Sequence, residues 1–373
     1  MAEIKIINSF DDFLELSDSW DELVRATELD HVFMRHLWFK CYIECYQIKE
    51  KLSIVTLWRD DKLCAIAPLM RSRSKRKGIV FKTLKFISSG ISPRCNFIAK
   101  SKEDLFALLD ECLKIDGWDL MTLDNLELEI NQTKLLREYL DRHRDYMTNL
   151  EPGFQSPYLI TDGSWDDYLE SLSRNRRRYL KNRLSKRMER AESFYLHKAS
   201  ADDNMEELYD WMLKISDTSW KHDNGSAIRQ VPPVARFYRQ FTEIALKQDL
   251  ISLWFLDING VKVAFDYYLK DAGRLSGIRS DFDKSFGDFY PGDYIKLEFL
   301  QRMFADPDMH EFDFGGTVYD YKLRWTNDIR KHINLIIGNK NFKGRGLLFA
   351  MNYIKPIKSK LTGKSRPVET NTD

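Results

Sequence analysis

The sequence predicts an α/β (α+β) protein made of two similar units, each with a mainly antiparallel mixed sheet flanked by helices. Short apolar runs typical of strands alternate with amphipathic stretches typical of helices along the chain. Asn259-Gly260 separates two of these apolar runs, and this dipeptide is the strongest short-range signal for a two-residue β-hairpin. Both halves repeat one order of elements, namely strand, helices, a three-strand meander, helix, strand and helix, which indicates an internal duplication.

The composition is that of a globular protein with enough residues for two domains. Of the 373 residues, 43% are hydrophobic and 13% aromatic, which is ample for packed cores. The 58 basic and 57 acidic residues leave a formal net charge of +1, so the whole molecule lacks the strong positive charge of a general nucleic-acid binding protein. We therefore expect no specific DNA binding, and we expect any basic function to come from local clusters.

A change in composition at Glu151-Pro152-Gly153 predicts a boundary between domains. The predicted domains are 1–150, an N-terminal unit, and 151–345, a C-terminal unit that carries the candidate active site. Residues 346–373 are predicted to form a basic amphipathic helix and a tail that is disordered after Gly363.

In the first half, strands Ser53–Trp58 and Leu63–Met70 are predicted to form a hairpin around the turn Arg59–Lys62. The basic stretch that follows, Arg71–Lys77 (RSRSKRK), is predicted to be a solvated loop tip, with contact to an anion as the alternative. Strand Ile79–Ile87 comes next along the chain.

The five cysteines all lie in the first third of the chain and form no C-x-x-C pair. Because further metal ligands are not found near them, we expect buried thiols rather than a zinc site. This usage is typical of a reducing compartment. With no signal peptide and no apolar run near the length of a membrane span, the sequence favours a cytoplasmic protein, with peripheral contact to the inner membrane as a further expectation.

The stretch Arg274–Trp325 combines a predicted strand, a glycine-containing loop, an amphipathic helix, a short strand and a Gly-Gly turn. A strand, a loop and a helix amino terminus in this order can bind pyrophosphate, because free backbone N–H groups point at the anion. The stretch therefore predicts a phosphate-bearing donor. The residues expected to bind it are Gly287, Gly292 and Asp293.

A strongly basic helix is predicted before this stretch, within Trp165–Glu192, with a joint near Leu172-Ser173 and Ser164 as its cap. Nine basic residues lie between Arg174 and Arg190, and Glu189 is the one acid among them. One interpretation is a surface for a polyanion, such as a phosphorylated substrate, a tRNA or an anionic membrane. The other is a solvated helix whose charges pair with acids elsewhere, such as Asp166, Asp167 or Glu206. Under the first interpretation, Arg174 and Arg178 bind substrate.

Candidate catalytic side chains follow the third strand of the second meander. Asp281 and Asp283 are candidates for the general base of an amine nucleophile, and the alternative is that each caps a loop. Asp313, before Gly315-Gly316, is a candidate substrate ligand with the same alternative. Tyr319 is a candidate proton donor to a leaving group.

Lys322 and Trp325 complete this set of candidates. Lys322 is expected to bind a phosphate or carboxylate, with an ordinary surface charge as the alternative. The sequence offers no Ser-His-Asp arrangement and no group of metal ligands, so we expect no metal.

The string SDFDKSFGDFYPGDYIKLEFLQ…FDFGGTVYDYKLRW resembles the GNAT-fold acetyltransferases of the CelD type, named for cellulose and exopolysaccharide biosynthesis and related to the Fem peptidoglycan aminoacyltransferases. Other pieces of the same pattern are Trp38 with Leu63–Leu69 (LCAIAPL), Trp165–Leu172 before the basic helix, and Asn259–Ala264 (NGVKVA). The resemblance covers roughly residues 15–340.

The resemblance implies two GNAT-like halves and an N-acyltransferase that moves an acyl group from acyl-CoA to an amine. The acceptor would be a small molecule or a glycan precursor, such as an amino sugar of the cell envelope or of an exopolysaccharide. The loop Phe286–Asp293 would bind the donor's pyrophosphate. Because Gly287 and Gly292 are five apart and the Q/R-x-x-G-x-G/A signature is absent, a Fem-like enzyme with an aminoacyl-tRNA donor is one alternative. A non-catalytic scaffold of a polysaccharide synthesis complex is another.

Overall fold

The computed structural model describes residues 2–76, 78–88 and 90–354. They fall into two compact units: the first takes the described residues of Met1–Phe154 and Arg330–Thr372, and the second takes Gln155–Ile329. The predicted tail after Gly363 lies outside the described residues. The domain bounds expected from the sequence stay predictions.

The chain crosses from the first unit to the second along one strand. The elements up to and including that strand are β1 (Ala2–Ile7), α1 (Phe10–Glu15), α2 (Ser17–Arg25), α3 (His36–Cys45), β2 (Ile54–Arg59), β3 (Lys62–Ala67), β4 (Leu69–Arg76), β5 (Ile79–Phe86), β6 (Ile98–Ala99), α4 (Lys102–Lys114), β7 (Leu120–Glu127), α5 (Asn131–Arg142) and β8 (Met147–Ile160).

The second unit contains most of the remaining elements, and the chain then returns to the first. These elements are α6 (Trp165–Ser171), α7 (Arg174–Arg178), α8 (Leu184–Met188), β9 (Phe194–Lys198), α9 (Met205–Thr218), α10 (Trp220–Asp223), α11 (Pro232–Lys247), β10 (Ile251–Ile258), β11 (Val261–Asp271), β12 (Arg274–Phe282), α12 (Pro291–Ala305), β13 (Glu311–Asp313), α13 (Asp320–Leu323), β14 (Ile329–Gly338) and α14 (Phe342–Phe349).

The first unit contains two sheets. One has the strand order β1-β2-β3-β6 with antiparallel pairs. In the other, β4 pairs antiparallel with β5, β5 pairs parallel with β7, and β7 pairs antiparallel with β14. A core between helices and strands joins Leu105 and Leu108 of α4 to Leu123 of β7 and to Leu335 and Ile337 of β14.

The prediction of a basic loop at Arg71–Lys77 is wrong for those of its residues that the structure describes, because Arg71–Arg76 belong to β4. Arginine or lysine alternates with a smaller or less exposed residue along RSRSKR, and a period of two is the period of a strand. High charge also suits the edge of a sheet, where it discourages pairing with another chain. The turn to β5 comes at Gly78, whose φ is +84°.

All five cysteines are buried free thiols, as expected. Burial raises the pKa of Cys41 to about 12. Such thiols are inert packing groups.

In the second unit the strand order is β8-β13-β12-β11-β10-β9. The β10–β11 turn at Asn259-Gly260 has φ of +54° and +78°, which confirms the hairpin predicted there. In each unit a helix connects the strands of a parallel pair, α4 before β7 and α12 between β12 and β13. The mixed sheets and their flanking helices confirm the predicted fold class. The three strands predicted as a meander in the first half instead divide between two sheets, because β3 pairs with β6 and β4 pairs with β5.

Candidate active site

Strands β12 and β13 part from each other next to a close contact between two glycines. They pair from Arg274 with Glu311 to Ser276 with Asp313, and the pairing ends there. A Cβ on Gly315 would lie 1.8 Å from the carbonyl oxygen of Gly277. Gly315 and Gly316 also have φ of +61° and +54°. Glycine is therefore required at the turn, and the side chains that follow β13 line one side of the opening between the two strands.

Lys322 of α13 is buried beside this turn. It is 5% exposed, and its ammonium donates a hydrogen bond to the carbonyl oxygen of Gly315. Burial lowers the pKa of Lys322 to about 7, with nearby Lys296 and Lys221 adding to the shift and Asp313 opposing it. Lys322 is thus not an ordinary surface charge.

Two tyrosines flank Lys322. The rings of Tyr319 and Tyr321 stack with centroids 5.8 Å apart, and the Lys322 ammonium lies 5.5 Å from the first ring centroid and 5.9 Å from the second. Tyr319 is 39% exposed, so its ring is open to a ligand. Burial and the nearby Asp266 carboxylate raise the pKa of Tyr321.

Asp313 and Asp281 are both buried and both occupied by partners. Asp313 accepts hydrogen bonds from the backbone N–H of Gly315 at 2.7 Å and from the Ser156 hydroxyl at 3.3 Å. Asp281 binds the Lys221 ammonium at 2.5 Å and the Arg279 Nε at 2.8 Å. Burial alone would raise the pKa of Asp281, but these two cations lower it below its ordinary value. A carboxylate with a lowered pKa is a weak base.

Asp283 takes the capping role that was the alternative for it. Its carboxylate accepts from the backbone N–H of Ser285 at 2.8 Å and from the Ser285 hydroxyl at 2.7 Å, at the start of the short 3-10 helix Lys284–Phe289.

A buried pair that sequence reasoning did not select lies next to these groups. The Lys296 ammonium donates to the Asp266 carboxylate at 3.0 Å and to the Tyr268 hydroxyl at 3.1 Å, and Tyr268 also donates to Asp266. The sequence carried a signal for this pair. Lys296 interrupts the apolar face of α12, and Asp266 interrupts an apolar strand.

These side chains form one buried charge cluster, made of Lys221, Asp266, Arg279, Asp281, Lys296, Asp313 and Lys322. With every group charged, its four cations exceed its three carboxylates by one. The cluster is balanced when Lys322 is neutral, which agrees with the direction of the Lys322 pKa shift. An anionic substrate group would provide the same balance with Lys322 protonated.

The basic stretch Arg174–Arg190 forms α7, a π-helical turn Tyr179–Arg183 and α8. The joint expected near Leu172-Ser173 is present, because α6 ends at Ser171 and Ser173 caps α7. Of the acids proposed to offset its charge, Asp166 lies 3.9 Å from Lys181. Asp167 instead binds Ser164, and Glu206 binds Arg239.

The inner side of the basic stretch packs on the connection between β12 and α12. The Arg187 guanidinium donates to the carbonyl oxygen of Asp288 at 2.8 Å and lies 4.5 Å from the ring of Tyr290. Arg176 lies 3.3 Å from the Asp293 carboxylate, which also accepts from Tyr179 at 3.0 Å. The Asp293 side chain, in the candidate phosphate-binding loop, is therefore held by partners within the protein.

Trp325 is buried, and the Arg176 guanidinium lies 4.3 Å from the centroid of its ring. The main role of Trp325 is therefore in packing. Arg174 and Arg178, by contrast, are exposed on α7.

The two candidate loop glycines have no steric need to be glycine. A Cβ on Gly287 or Gly292 would meet no atom within 4 Å among the described residues, and neither has a positive φ. The left-handed position belongs to Tyr290, with φ of +52°, directly before α12. In the described structure no side chain caps the first turn of α12, so its backbone N–H groups can face a ligand.

Residues 174–323 match the family model described as an acetyltransferase (GNAT) domain. This part of the chain is therefore similar to GNAT acetyltransferase domains. It contains the whole buried charge cluster, the Gly-Gly turn and the basic stretch, and the protein is accordingly an acyltransferase.

Solved structures share the fold of most of this chain. FemX matches with a TM-score of 0.60 and 13% identity over 94% of this chain and 99% of that chain. A conserved protein of unknown function from Bacteroides thetaiotaomicron VPI-5482 matches with a TM-score of 0.56 and 12% identity, over 90% and 100% of the two chains.

The C-terminal domain of a putative lysylphosphatidylglycerol synthetase from Agrobacterium fabrum matches with a TM-score of 0.52 and 11% identity, over 92% and 97%. At such identities the likeness shows a common fold. None of the curated proteins matches the sequence.

Within 2–76, 78–88 and 90–354, no group of three or more His, Cys, Asp or Glu side chains is placed to hold a metal ion. The same residues include no helix of the length and apolar character that crossing a membrane requires.

Proposed function

We propose that the protein is an N-acyltransferase that moves an acyl group from acyl-CoA to an amine. The observation that carries the proposal is Lys322, a buried lysine whose pKa is lowered to about 7, at the opening between β12 and β13 of the GNAT-like domain. A group with a pKa near the working pH is an efficient proton acceptor.

The chemistry is a direct transfer. The amine nitrogen attacks the thioester carbonyl carbon, the C–N bond forms and the C–S bond breaks. The proton lost by the amine passes to neutral Lys322, and the leaving thiolate takes a proton from the Tyr319 hydroxyl. Asp281 and Asp283 are poorer bases in this scheme, because two cations hold the first and a capping role holds the second.

The donor's phosphates would lie at the first turn of α12. Gly292 and Asp293 supply backbone N–H groups there, and Arg187 stands beside the same connection. Arg174 and Arg178 extend the positive charge outward on the basic stretch.

The acceptor follows from the CelD-type resemblance, which remains a proposal, as do a cytoplasmic location and contact with the inner membrane. We propose a glycan precursor with a free amine, such as an amino sugar of the cell envelope or of an exopolysaccharide.

The test is release of free thiol from acetyl-CoA and longer acyl-CoAs in the presence of amino sugars and other amines. We expect turnover with at least one pair. Lys322→Ala should reduce it about a hundredfold or more, the usual contribution of a general base. Lys284→Ala, which removes an exposed lysine paired with Asp223, is the matched control and should leave the rate within about twofold. No turnover with any pair, or equal rates for the two variants, would exclude the proposal.

A Fem-like aminoacyltransferase is the second candidate, favoured by the exposed Arg174 and Arg178 on a basic helix. Aminoacyl-tRNA would then replace acyl-CoA as the donor, and its affinity would fall steeply with salt. Assaying both donors with one set of acceptors decides between them. If neither donor binds, the remaining candidate function is that of a non-catalytic scaffold of a polysaccharide synthesis complex.

A further inference from the structure

One face of the β4–β5 ribbon in the first unit is densely basic. Arg73 pairs with Lys82 across the two strands, and Arg71 and Lys75 lie two residues away on each side, so all four side chains share one face. All four are exposed. The remaining residues paired on this face are the uncharged Leu84 and Val80. The face therefore carries four cations and no carboxylate among its described residues.

Large apolar side chains stand exposed at the end of this ribbon. Ile79 is 54% exposed and Val80 is 48% exposed, directly after the turn at Gly78. Phe342, the first residue of α14, is 93% exposed. The Lys343 ammonium donates to the carbonyl oxygen of Val80 at 3.5 Å, so the start of α14 lies against the start of β5. These three exposed apolar side chains therefore lie among basic residues.

Helix α14 has an aromatic outer side. On its inner side Leu348 packs with Phe81 of β5, and Met351 of the following turn joins the same cluster. Phe349, seven residues after Phe342, is 54% exposed. The π-helical turn after α14 continues this outer side, because Tyr353 is 55% exposed and its ring centroid lies 5.0 Å from that of Phe349. Exposed apolar groups clustered in this way are typical of an interaction surface.

A concavity of about 310 Å³ opens at the base of the ribbon. It is lined by Arg71, Arg73 and Lys82 together with Trp118, and none of its described lining residues carries a carboxylate. The Asp119 carboxylate lies nearby and accepts from the backbone N–H of Lys82 at 2.8 Å. An oxyanion, such as the phosphate of a lipid headgroup, complements these three cations.

We propose that this surface of the first unit docks on a bilayer that contains anionic phospholipids. Arg71, Arg73, Lys75 and Lys82 contact the lipid phosphates, and Ile79, Val80 and Phe342 enter the interfacial layer. Basic side chains that surround exposed aromatic and aliphatic side chains are typical of proteins that bind the membrane–water interface.

The apolar tips decide against a polynucleotide, whose charged backbone offers them no partner. The uniform positive charge decides against a partner protein of ordinary mixed charge. The inference concerns the first unit and does not depend on the proposed acyl transfer.

Sedimentation of the full chain with lipid vesicles tests the proposal. We expect binding to vesicles of mixed phosphatidylglycerol and phosphatidylcholine, and little binding to phosphatidylcholine alone. Arg73→Gln with Lys82→Gln should weaken binding about thirtyfold, since each cation near an anionic surface contributes about five- to sixfold. Phe342→Ser should weaken it about tenfold through lost apolar burial.

The matched control is Lys214→Gln with Lys247→Gln, which removes two exposed cations from the second unit, each paired with a carboxylate, and should leave vesicle binding unchanged. Thermal unfolding of each variant checks that it is folded, and the exposed positions make a folding defect unexpected.

Three results would overturn the proposal. They are equal binding to both kinds of vesicle, an equal loss in the control variant, and an unaltered affinity of the Arg73 and Lys82 variant. A parallel assay with tRNA distinguishes the remaining partner class, because tRNA binding that depends on Arg73 and Lys82 without vesicle binding would assign the surface to RNA.

Discussion

At the scale of single residues, the charge state of Lys322 decides what the site can do. A lysine buried between like charges gives up its proton far more easily than one in water, and the resulting pKa is about 7. The neutral amine can then accept a proton at the opening between β12 and β13. The protonated form would instead hold an anion.

The pH dependence of acyl transfer separates these two roles. If neutral Lys322 is the proton acceptor, the rate should rise with pH and level off above about 7. Lys322→Arg, which stays protonated at every accessible pH, should abolish this rise and most of the activity. A rate that falls as pH rises through this range would mean that the charged form is needed. The profile of kcat with saturating donor and acceptor is the measurement.

Asp281 is expected to be a structural residue. Its pKa is lowered in the folded protein, so its contribution to stability is present above the ordinary value of 3.8 and is lost as pH falls through its folded pKa. Asp281→Asn should cost about 3–5 kcal/mol in the free energy of unfolding near neutral pH, because the Lys221 and Arg279 charges lose their buried counterion. Urea unfolding monitored by circular dichroism measures this cost.

Asp283→Asn is the companion variant. Asparagine caps a helix as well as aspartate does, so stability should change by less than about 0.5 kcal/mol. If Asp283 were the general base, this variant would be folded but inactive. An unfolding cost equal to that of Asp281→Asn would contradict the capping role.

The sequence placed Asp283 correctly after a strand, whereas Asp281 lies inside β12, and it left the roles of both open. The partner of Asp281 is Lys221, sixty positions earlier, and no local pattern indicates that pairing. Lys322 was selected from its position beside two glycines and several aromatic residues. Its burial and its lowered pKa depend on Lys296 and Lys221, which only the folded chain brings near.

At the scale of elements, the turn after β13 holds the site in place more firmly than the loop before α12. The hairpin at Asn259-Gly260 followed closely from the sequence, because a turn dipeptide is a local signal. Strand β4 was not predicted from the sequence, because its many charged residues concealed an alternation with a period of two. The packing of Arg176 and Arg187 on the β12–α12 connection is a contact across about a hundred residues, which local signals do not encode.

Alanine at two glycines tests this difference between the turn and the loop. Gly315→Ala should destabilise the protein by about 3 kcal/mol or more, since the residue has a positive φ and its Cβ would collide with the Gly277 carbonyl. Gly287→Ala should be neutral or stabilise by up to about 1 kcal/mol. Thermal unfolding of both variants gives the answer, and equal effects would show that the glycine contact is not what fixes the turn.

At the scale of the whole molecule, the first unit is built from both ends of the described chain. Leu335 and Ile337 of β14 belong to the same core as the residues of α4 and β7, and Leu348 of α14 packs with Phe81 of β5. The first 154 residues therefore lack a neighbouring strand for β7 and part of their core.

We expect residues 1–154 expressed alone to be at most partly folded, because β7 loses its β14 partner and apolar side chains lose their cover. The full chain should unfold cooperatively in urea, whereas the fragment should show broad unfolding and bind a hydrophobic dye. A fragment with a sharp unfolding transition would show that the last strand is dispensable.

The return of the chain to its first unit also sets an order for folding during synthesis. Ribosomes add roughly 5–20 residues per second, so on the order of ten to forty seconds separate the emergence of β7 from that of β14. Residues 155–329 are complete in that interval and can fold before the unit that precedes them. The nascent first unit meanwhile exposes an unpaired strand and an open core, which makes it a natural client for a chaperone that binds apolar segments on the ribosome.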